Sequence, residues 1–223
     1  MKRYAAALAL PFLLLVGCKE PEVVGTLPVK VDTDPAAATI VMKGKQMGAA
    51  PQTVKLVSVK DLPFVNGSYQ GQEPVERRIR YLPDGSIELK LLFGADRSPM
   101  AKLLGLPRVL VFEFAAGLTF DVNKFDLKPT TLPLLERQAS LLKEQFAGVD
   151  VHVLGHTDST GNANSNKVLS VNRAQAVADY LASQGIEKTR LRIQGLAADY
   201  PVAPNSTEDG RTANRRTELI LAQ

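Results

Sequence analysis

The sequence predicts an α/β protein in which a small all-β domain is followed, from Arg108 to Gln223, by a β-α-β-α-β layer with an added edge strand. Three observations predict it. Downstream of Arg108, strand-like apolar runs alternate with segments whose apolar residues recur at helical spacing. Upstream, over 29–93, short alternating runs are separated by closely spaced Pro, Gly and Asn turn signals. Between them Gly94, Pro99, Gly105 and Pro107 mark a linker over 94–107.

The elements follow in order. Val29 and Val31 alternate with Lys30 and Asp32, the pattern of a half-buried strand, and Asp34-Pro35 turns the chain. Thr39–Met42 is a strand, Lys43-Gly44-Lys45 a hairpin tip, and Pro51 precedes a strand over Thr53–Val57. Asp61–Gly71 reads as loop. Val75–Tyr81 and Ile87–Leu92 read as strands joined around Pro83-Asp84-Gly85. Met100–Leu106 has room for a helical turn or two. Val109–Phe114 and Leu118–Phe120 are strand-like, and Leu132–Phe146 is helical. Val149–Leu154 is a strand, Ser165–Gln184 a helix ended by Gly185, and Leu191–Gln194 a strand. Thr217–Leu221 is the last, edge strand.

Composition narrows the function. Of 223 residues, 45% are hydrophobic and 22% charged, ordinary globular values that exclude a mostly disordered polymer. The formal charge of +4 falls to +2 without Lys2 and Arg3, and residues 108–223 carry 13 charges of each sign. A phosphate backbone requires a concentrated basic stripe, so nucleic acid is not an expected partner.

At the N-terminus Lys2 and Arg3 precede an apolar run, Ala5–Val16, followed by Gly17-Cys18. Twelve residues at about 1.5 Å each span roughly 18 Å, too short for a hydrocarbon core of ~30 Å. The segment is expected to be an export signal over 1–17, cleaved rather than kept as an anchor. Cys18 is the only cysteine, so no internal disulfide forms. Leu15-Val16-Gly17-Cys18 resembles the bacterial lipobox, although Ala or Ser is commoner than Val16 in that motif. The resemblance implies diacylglycerol and a further acyl chain, such as palmitate, on Cys18. Lys19, where an Asp would retain the protein at the inner membrane, implies the outer membrane, lipid-anchored and facing the periplasm. Residues 18–28, with two prolines, read as a tether reaching at most about 35 Å.

The chemistry concentrates where strand Val149–Leu154 runs into Gly155-His156-Thr157-Asp158-Ser159-Thr160-Gly161. Loops after strands are where an α/β sheet presents ligand groups. On the following helix, Asn166 and Arg173 are seven residues apart, so they lie within about 20° of one face, with Leu169 between them. Arg173 thus sits in the core-facing row, where a guanidinium is costly unless paired. Asp158 is its evident partner. The pair either pins the loop to the helix or is held apart, each charge awaiting the opposite end of a zwitterion.

Residues 155–161, followed by Asn166-Lys167-Val168-Leu169-Ser170-Val171-Asn172-Arg173-Ala174-Gln175-Ala176-Val177, closely resemble the peptidoglycan-binding signature of the OmpA C-terminal domain family, shared with Pal-type lipoproteins and motor stators. Phe120-Asp121-Val122-Asn123, Gly195 and Asn214-Arg215-Arg216 match its flanking motifs, so the resemblance covers about 108–223. It implies an uncrosslinked peptide stem as ligand, commonly through diaminopimelate. Asp158 then accepts the ligand's ammonium and Arg173 grips its carboxylate. Asn123 and Asn166 fix orientation, and Arg215 closes the pocket. Asp121 supports its loop, Thr160 contributes a backbone donor, and Leu169 shapes an apolar wall. Residues from Val31 through Ala36-Ala37-Ala38, Gly44-Lys45, Gly48 and Pro51 resemble a PEGA module, a small β-sandwich.

Other chemistries fit less well. His152 and His156 have metal-ligand spacing only on a helix, and their segment reads as a strand. No Gly-x-Ser-x-Gly elbow accompanies His156 and the nearby serines, and 155–161 lacks the Lys of a nucleotide loop. No catalysis, metal or cofactor is expected. The expected function is a tether between outer membrane and cell wall. The alternative is an interaction or regulatory lipoprotein whose β domain binds another envelope protein.

Overall fold

The structure is a computed structural model that describes residues 27–223. The expected export signal, Cys18 and most of the 18–28 tether lie outside the described residues. The tether's last two positions are already strand, because β1 spans Leu27–Asp34.

The strands that follow are β2 (Thr39–Met42), β3 (Lys45–Ala49), β4 (Gln52–Leu56), β5 (Val65–Ser68), β6 (Glu76–Tyr81) and β7 (Ile87–Leu92). Then come α1 (Pro99–Leu104), β8 (Val109–Ala115), α2 (Ala116–Thr119), α3 (Leu132–Glu144), β9 (Val151–His156), α4 (Ala163–Ser183), β10 (Leu191–Ala197), α5 (Glu208–Asn214) and β11 (Arg216–Ala222). Eight strands form one mixed sheet in the order β10-β9-β11-β8-β6-β7-β1-β4, and β3-β2-β5 form a second. The architecture is α/β.

Three expectations change. The halves share a sheet, because β6 runs parallel to β8 with Ile79 opposite Phe112 and Tyr81 opposite Phe114. Residues 94–107 are not a bare linker: α1 buries Met100 and Ala101 against Val109, Val111 and Ile220. β11 is no edge strand, since it pairs antiparallel with both β8 and β9. Its run Leu219-Ile220-Leu221 is apolar on both faces, which only a central strand can bury. Two local readings also shift. Residues 118–119 close a short helical turn, with the Thr119 hydroxyl donating to the Ala115 carbonyl. The expected loop 61–71 instead holds most of a 3-10 turn, Val59–Phe64, capped reciprocally by Ser58 and Asp61, and strand β5.

One face of the large sheet carries Ile79, Phe112, Phe114, Val151, Val153, Leu219 and Leu221 beneath α3 and α4. At its other end the small sheet packs on β7: a Cβ on Gly67 would meet the Leu91 side chain at 2.8 Å. The opposite face is apolar under α1 but charged along β6, β8 and β11, where Glu76, Arg78, Glu113, Arg216 and Glu218 are all buried.

Among the described residues no helix is long and apolar enough to cross a membrane.

Candidate functional site

Two glycines set the site's depth by letting α4 lie on the ends of β9 and β10. A Cβ on Gly155 would stand 2.0 Å from the Ser170 carbonyl oxygen, and one on Gly195 would stand 2.5 Å from the Ser170 hydroxyl. The close approach places Asn166, Leu169 and Arg173 beside the loop that leaves β9. α4 starts where the Asn162 side chain accepts the Ser165 N–H at 3.1 Å.

In that loop the Asp158 carboxylate turns inward. Oδ1 accepts the Thr160 N–H at 2.8 Å and the Thr160 hydroxyl, and Oδ2 accepts Arg215 Nη1 at 2.7 Å. Burial alone would raise its pKa, but the Thr160 and Arg215 hydrogen bonds outweigh burial and hold it below the usual carboxylate value. Asn166 braces the same loop by donating to the Thr160 carbonyl at 2.8 Å.

Arg173 is 3% exposed and lies over the Phe120 ring at 5.2 Å from its centre. Its Nε donates to the Lys124 carbonyl at 3.0 Å and Nη2 to the Asp121 carbonyl at 3.4 Å, which pins the loop after α2. Two of its five N–H groups are thereby used and three remain. No ion pair joins Arg173 to Asp158 among the described residues. Desolvation and the neighbouring Arg215 cation lower the Arg173 pKa, with Asp158 acting in the opposite direction.

Asp158, Arg173, Asn166, Asn123, Arg215, Thr160, Leu169 and Asp121 all line one cavity of about 440 Å³. The structure thus brings all eight expected residues to one cavity, and gives several of them partners within the protein. The Thr160 N–H is spent on Asp158 and not offered to a ligand. Asn166 directs its amide N–H groups at the loop. Arg215 occupies an oxygen of Asp158 and extends Nη2 to Glu208 at 3.0 Å and Thr212 at 2.6 Å. Glu208 and Thr212 also line the cavity and were missed. Thr207 caps α5 by accepting the Gly210 N–H, Glu208 opens that helix, and Arg215 follows its last residue, seven positions on. That spacing was a readable signal.

Among the described residues no group of three or more His, Cys, Asp or Glu side chains is placed to hold a metal ion.

Residues 119–215 match the profile of the OmpA family. The chain is 40% identical over 113 residues to the probable lipoprotein YiaD of Escherichia coli K12, covering 51% of each protein. It is 36% identical over 104 residues to the peptidoglycan-binding protein ArfA of Mycobacterium tuberculosis, covering 47% of the chain and 32% of ArfA. It thus spans about half the length of YiaD and a third of ArfA. With outer membrane protein A of Bordetella avium it shares 36% identity over 134 residues, which is 57% of the chain and 67% of that protein. The chain belongs to the OmpA family.

Proposed function

We propose that this protein binds the peptide stem of peptidoglycan non-covalently, through a residue carrying both an ammonium and a carboxylate, diaminopimelate being the natural candidate. One observation carries the reading: Asp158 and Arg173 face a common cavity without neutralising each other. The ligand's ammonium docks on the lone pair of Asp158 Oδ2 that Arg215 leaves open. Its carboxylate accepts from the free N–H groups of Arg173, whose planar fork engages both oxygens. Leu169 and Phe120 supply apolar wall for the intervening methylenes. A relative named as a peptidoglycan-binding protein supports the ligand class.

The reading extends to an anchor. Acyl chains on Cys18 hold the protein in the outer membrane while the cavity holds the wall, so the chain tethers one to the other from the periplasmic side. More than one acyl chain makes such an anchor firm. A relative named as a probable lipoprotein supports this part.

Co-sedimentation with purified cell wall tests the ligand. Asp158→Ala and Arg173→Ala each strand one charge of the ligand, which costs about 2–5 kcal/mol. Both variants should stay in the supernatant with unchanged circular dichroism. Wall binding retained by either folded variant removes the assignment. Labelled palmitate tests the anchor: the natural chain incorporates it and Cys18→Ala does not, and equal labelling of both sinks the lipid claim.

A further inference from the structure

The cavity opens sideways into a second, shallower groove of about 410 Å³, and Asn123 and Leu169 line both. The groove runs between the loop after α2 and the outer face of α4's first three turns. Phe125 and Val168 stand on it, 45% and 59% exposed, beside Asn164 and Asn172. Among the described residues that line it, none is charged.

Its amides are unusual within this chain. Asn162, Asn166, Asn205 and Asn214 all spend their side chains on the protein: capping α4, bracing the Asp158 loop, or holding the segment before α5. Asn123, Asn164 and Asn172 make no side-chain hydrogen bond to any described residue, and all three converge on this one groove. Asn123 is further held in the left-handed region, φ 58°, inside the loop whose carbonyls Arg173 grips on either side. Asparagine adopts this conformation more readily than most residues. The groove therefore has a fixed wall rather than a drifting loop.

We infer that this groove is a subsite for an N-acetylated amino sugar, the glycan unit that carries the bound peptide. The inference rests on the proposed peptide site. Neutrality excludes the carboxylate-bearing residues of the stem as a preferred occupant, since a groove built for them would present Lys or Arg. An amidosugar presents an apolar ring face and an acetyl methyl, which suit Phe125, Val168 and Leu169. Its hydroxyl and amide groups suit donors and acceptors such as Asn123, Asn164 and Asn172. Continuity through Asn123 and Leu169 lets one ligand fill both depressions.

Calorimetry on the full chain tests this with two ligands: the free tripeptide Ala-γ-Glu-diaminopimelate, and the same tripeptide on an N-acetylglucosamine–N-acetylmuramic acid disaccharide. The disaccharide ligand should bind at least about fivefold tighter, the worth of one well-packed aromatic contact. Phe125→Ala and Asn172→Ala should each reduce that advantage and leave the free-tripeptide affinity as it was. Equal affinity for the two ligands overturns the inference while leaving the peptide site standing. Weakening of the free tripeptide by Phe125→Ala also overturns it, because the groove then holds peptide. If neither ligand binds, the proposed function fails. The groove is then judged alone by whether chitobiose shifts the amide resonances of Asn164 and Asn172, and unshifted resonances reject it.

Discussion

Arg215 and Arg216 are neighbours in the chain and serve two unlike clusters of charge. Arg216 is 1% exposed and belongs to a seam across the large sheet. Its Nε donates to Glu218 at 2.8 Å, and Arg78 on β6 reaches Glu76 at 2.6 Å and both Glu113 and Glu218 at 2.5 Å. Ser98, capping α1, donates its hydroxyl to Glu76. Glu113 and Glu218 lie directly opposite each other on β8 and β11, a repulsive placement that Arg78 neutralises from the adjacent strand. Arg215, on the other side, is one-third exposed in a cavity where Arg173 keeps three unspent N–H groups. Charges paired with one another in the interior join the N-terminal strands to the C-terminal half, whereas Arg173 faces a cavity with no carboxylate of the described residues bound to it. The same residue types thus separate by burial and by whether an opposite charge is bound to them.

The largest expected effect lies in the seam. Glu218→Ala takes from Arg216 its hydrogen-bonded carboxylate and from Arg78 one of three, and breaking a buried pair costs about 3–5 kcal/mol. Urea denaturation should show that loss, with wall binding intact in the fraction that remains folded. Asp158→Ala should cost less than about half as much, because its cavity admits water to replace the lost partner. Equal losses at the two positions would erase the distinction between the clusters.

Lysine substitution separates them more sharply. Arg173→Lys keeps the charge but loses the fork, so wall affinity should fall by about tenfold to a hundredfold, the range for hydrogen bonds to a charged group. Arg216→Lys should leave wall affinity unchanged and lower the urea midpoint instead. Quantitative co-sedimentation and denaturation on both variants check this, and a crossed result would reverse the two roles.

The cavity was legible in the sequence and the seam was not. Loop 155–161 and helix positions 166, 169 and 173 are local, so strand-loop-helix spacing suffices to bring Asp158 and Arg173 to one place. The seam depends on β6 finding β8 some thirty residues on, and on β11 entering between β8 and β9. Glu76, Arg78 and Arg80 alternate with Arg77, Ile79 and Tyr81, which in isolation reads as a solvated strand face. What covers that face is α1 and the 199–203 segment, both from connections that carry few periodic signals. The Asp158–Arg215 contact was hidden for a related reason: it spans 57 residues and depends on β11 being central.

His156 links the clusters, since it ends β9 just before Asp158 and its Nε2 lies 3.4 Å from Glu218 in the seam. Burial lowers its pKa below 6.5, against the pull of Glu218 and helped by Arg216 and Arg78. The folded state then binds fewer protons than the unfolded chain between the lowered pKa and 6.5. Stability is full above about pH 6.5 and declines as pH falls through that window, by no more than about 1.4 kcal/mol per pH unit for one proton. Glu113 and Glu218 also have lowered pKa values, so their contribution is lost at lower pH, through the acid side of 4.5. His152, the other histidine, is shifted in the same direction by its own burial. Denaturation between pH 7.5 and 5.5 should show a slope that His156→Gln reduces more than His152→Gln does. A slope that survives the loss of both histidines would place the titrating group elsewhere.

The smallest effect tests the border between the clusters. Glu208 is exposed and shares Arg215 with Asp158, so it draws the guanidinium partly off the carboxylate proposed to receive an ammonium. Glu208→Gln leaves Asp158 as the one carboxylate that Arg215 holds, and wall affinity should fall. An exposed ion pair is weak, so the fall should stay under about fivefold. At high salt the attraction between Arg215 and Glu208 is already screened, and the variant should there match the natural chain. Tighter binding by Glu208→Gln would mean that Glu208 repels the ligand's carboxylate more than it relieves Asp158. Complete loss would place Glu208 among the groups that grip the ligand, leaving Arg215 as a bridge between two ligand contacts rather than a competitor for one.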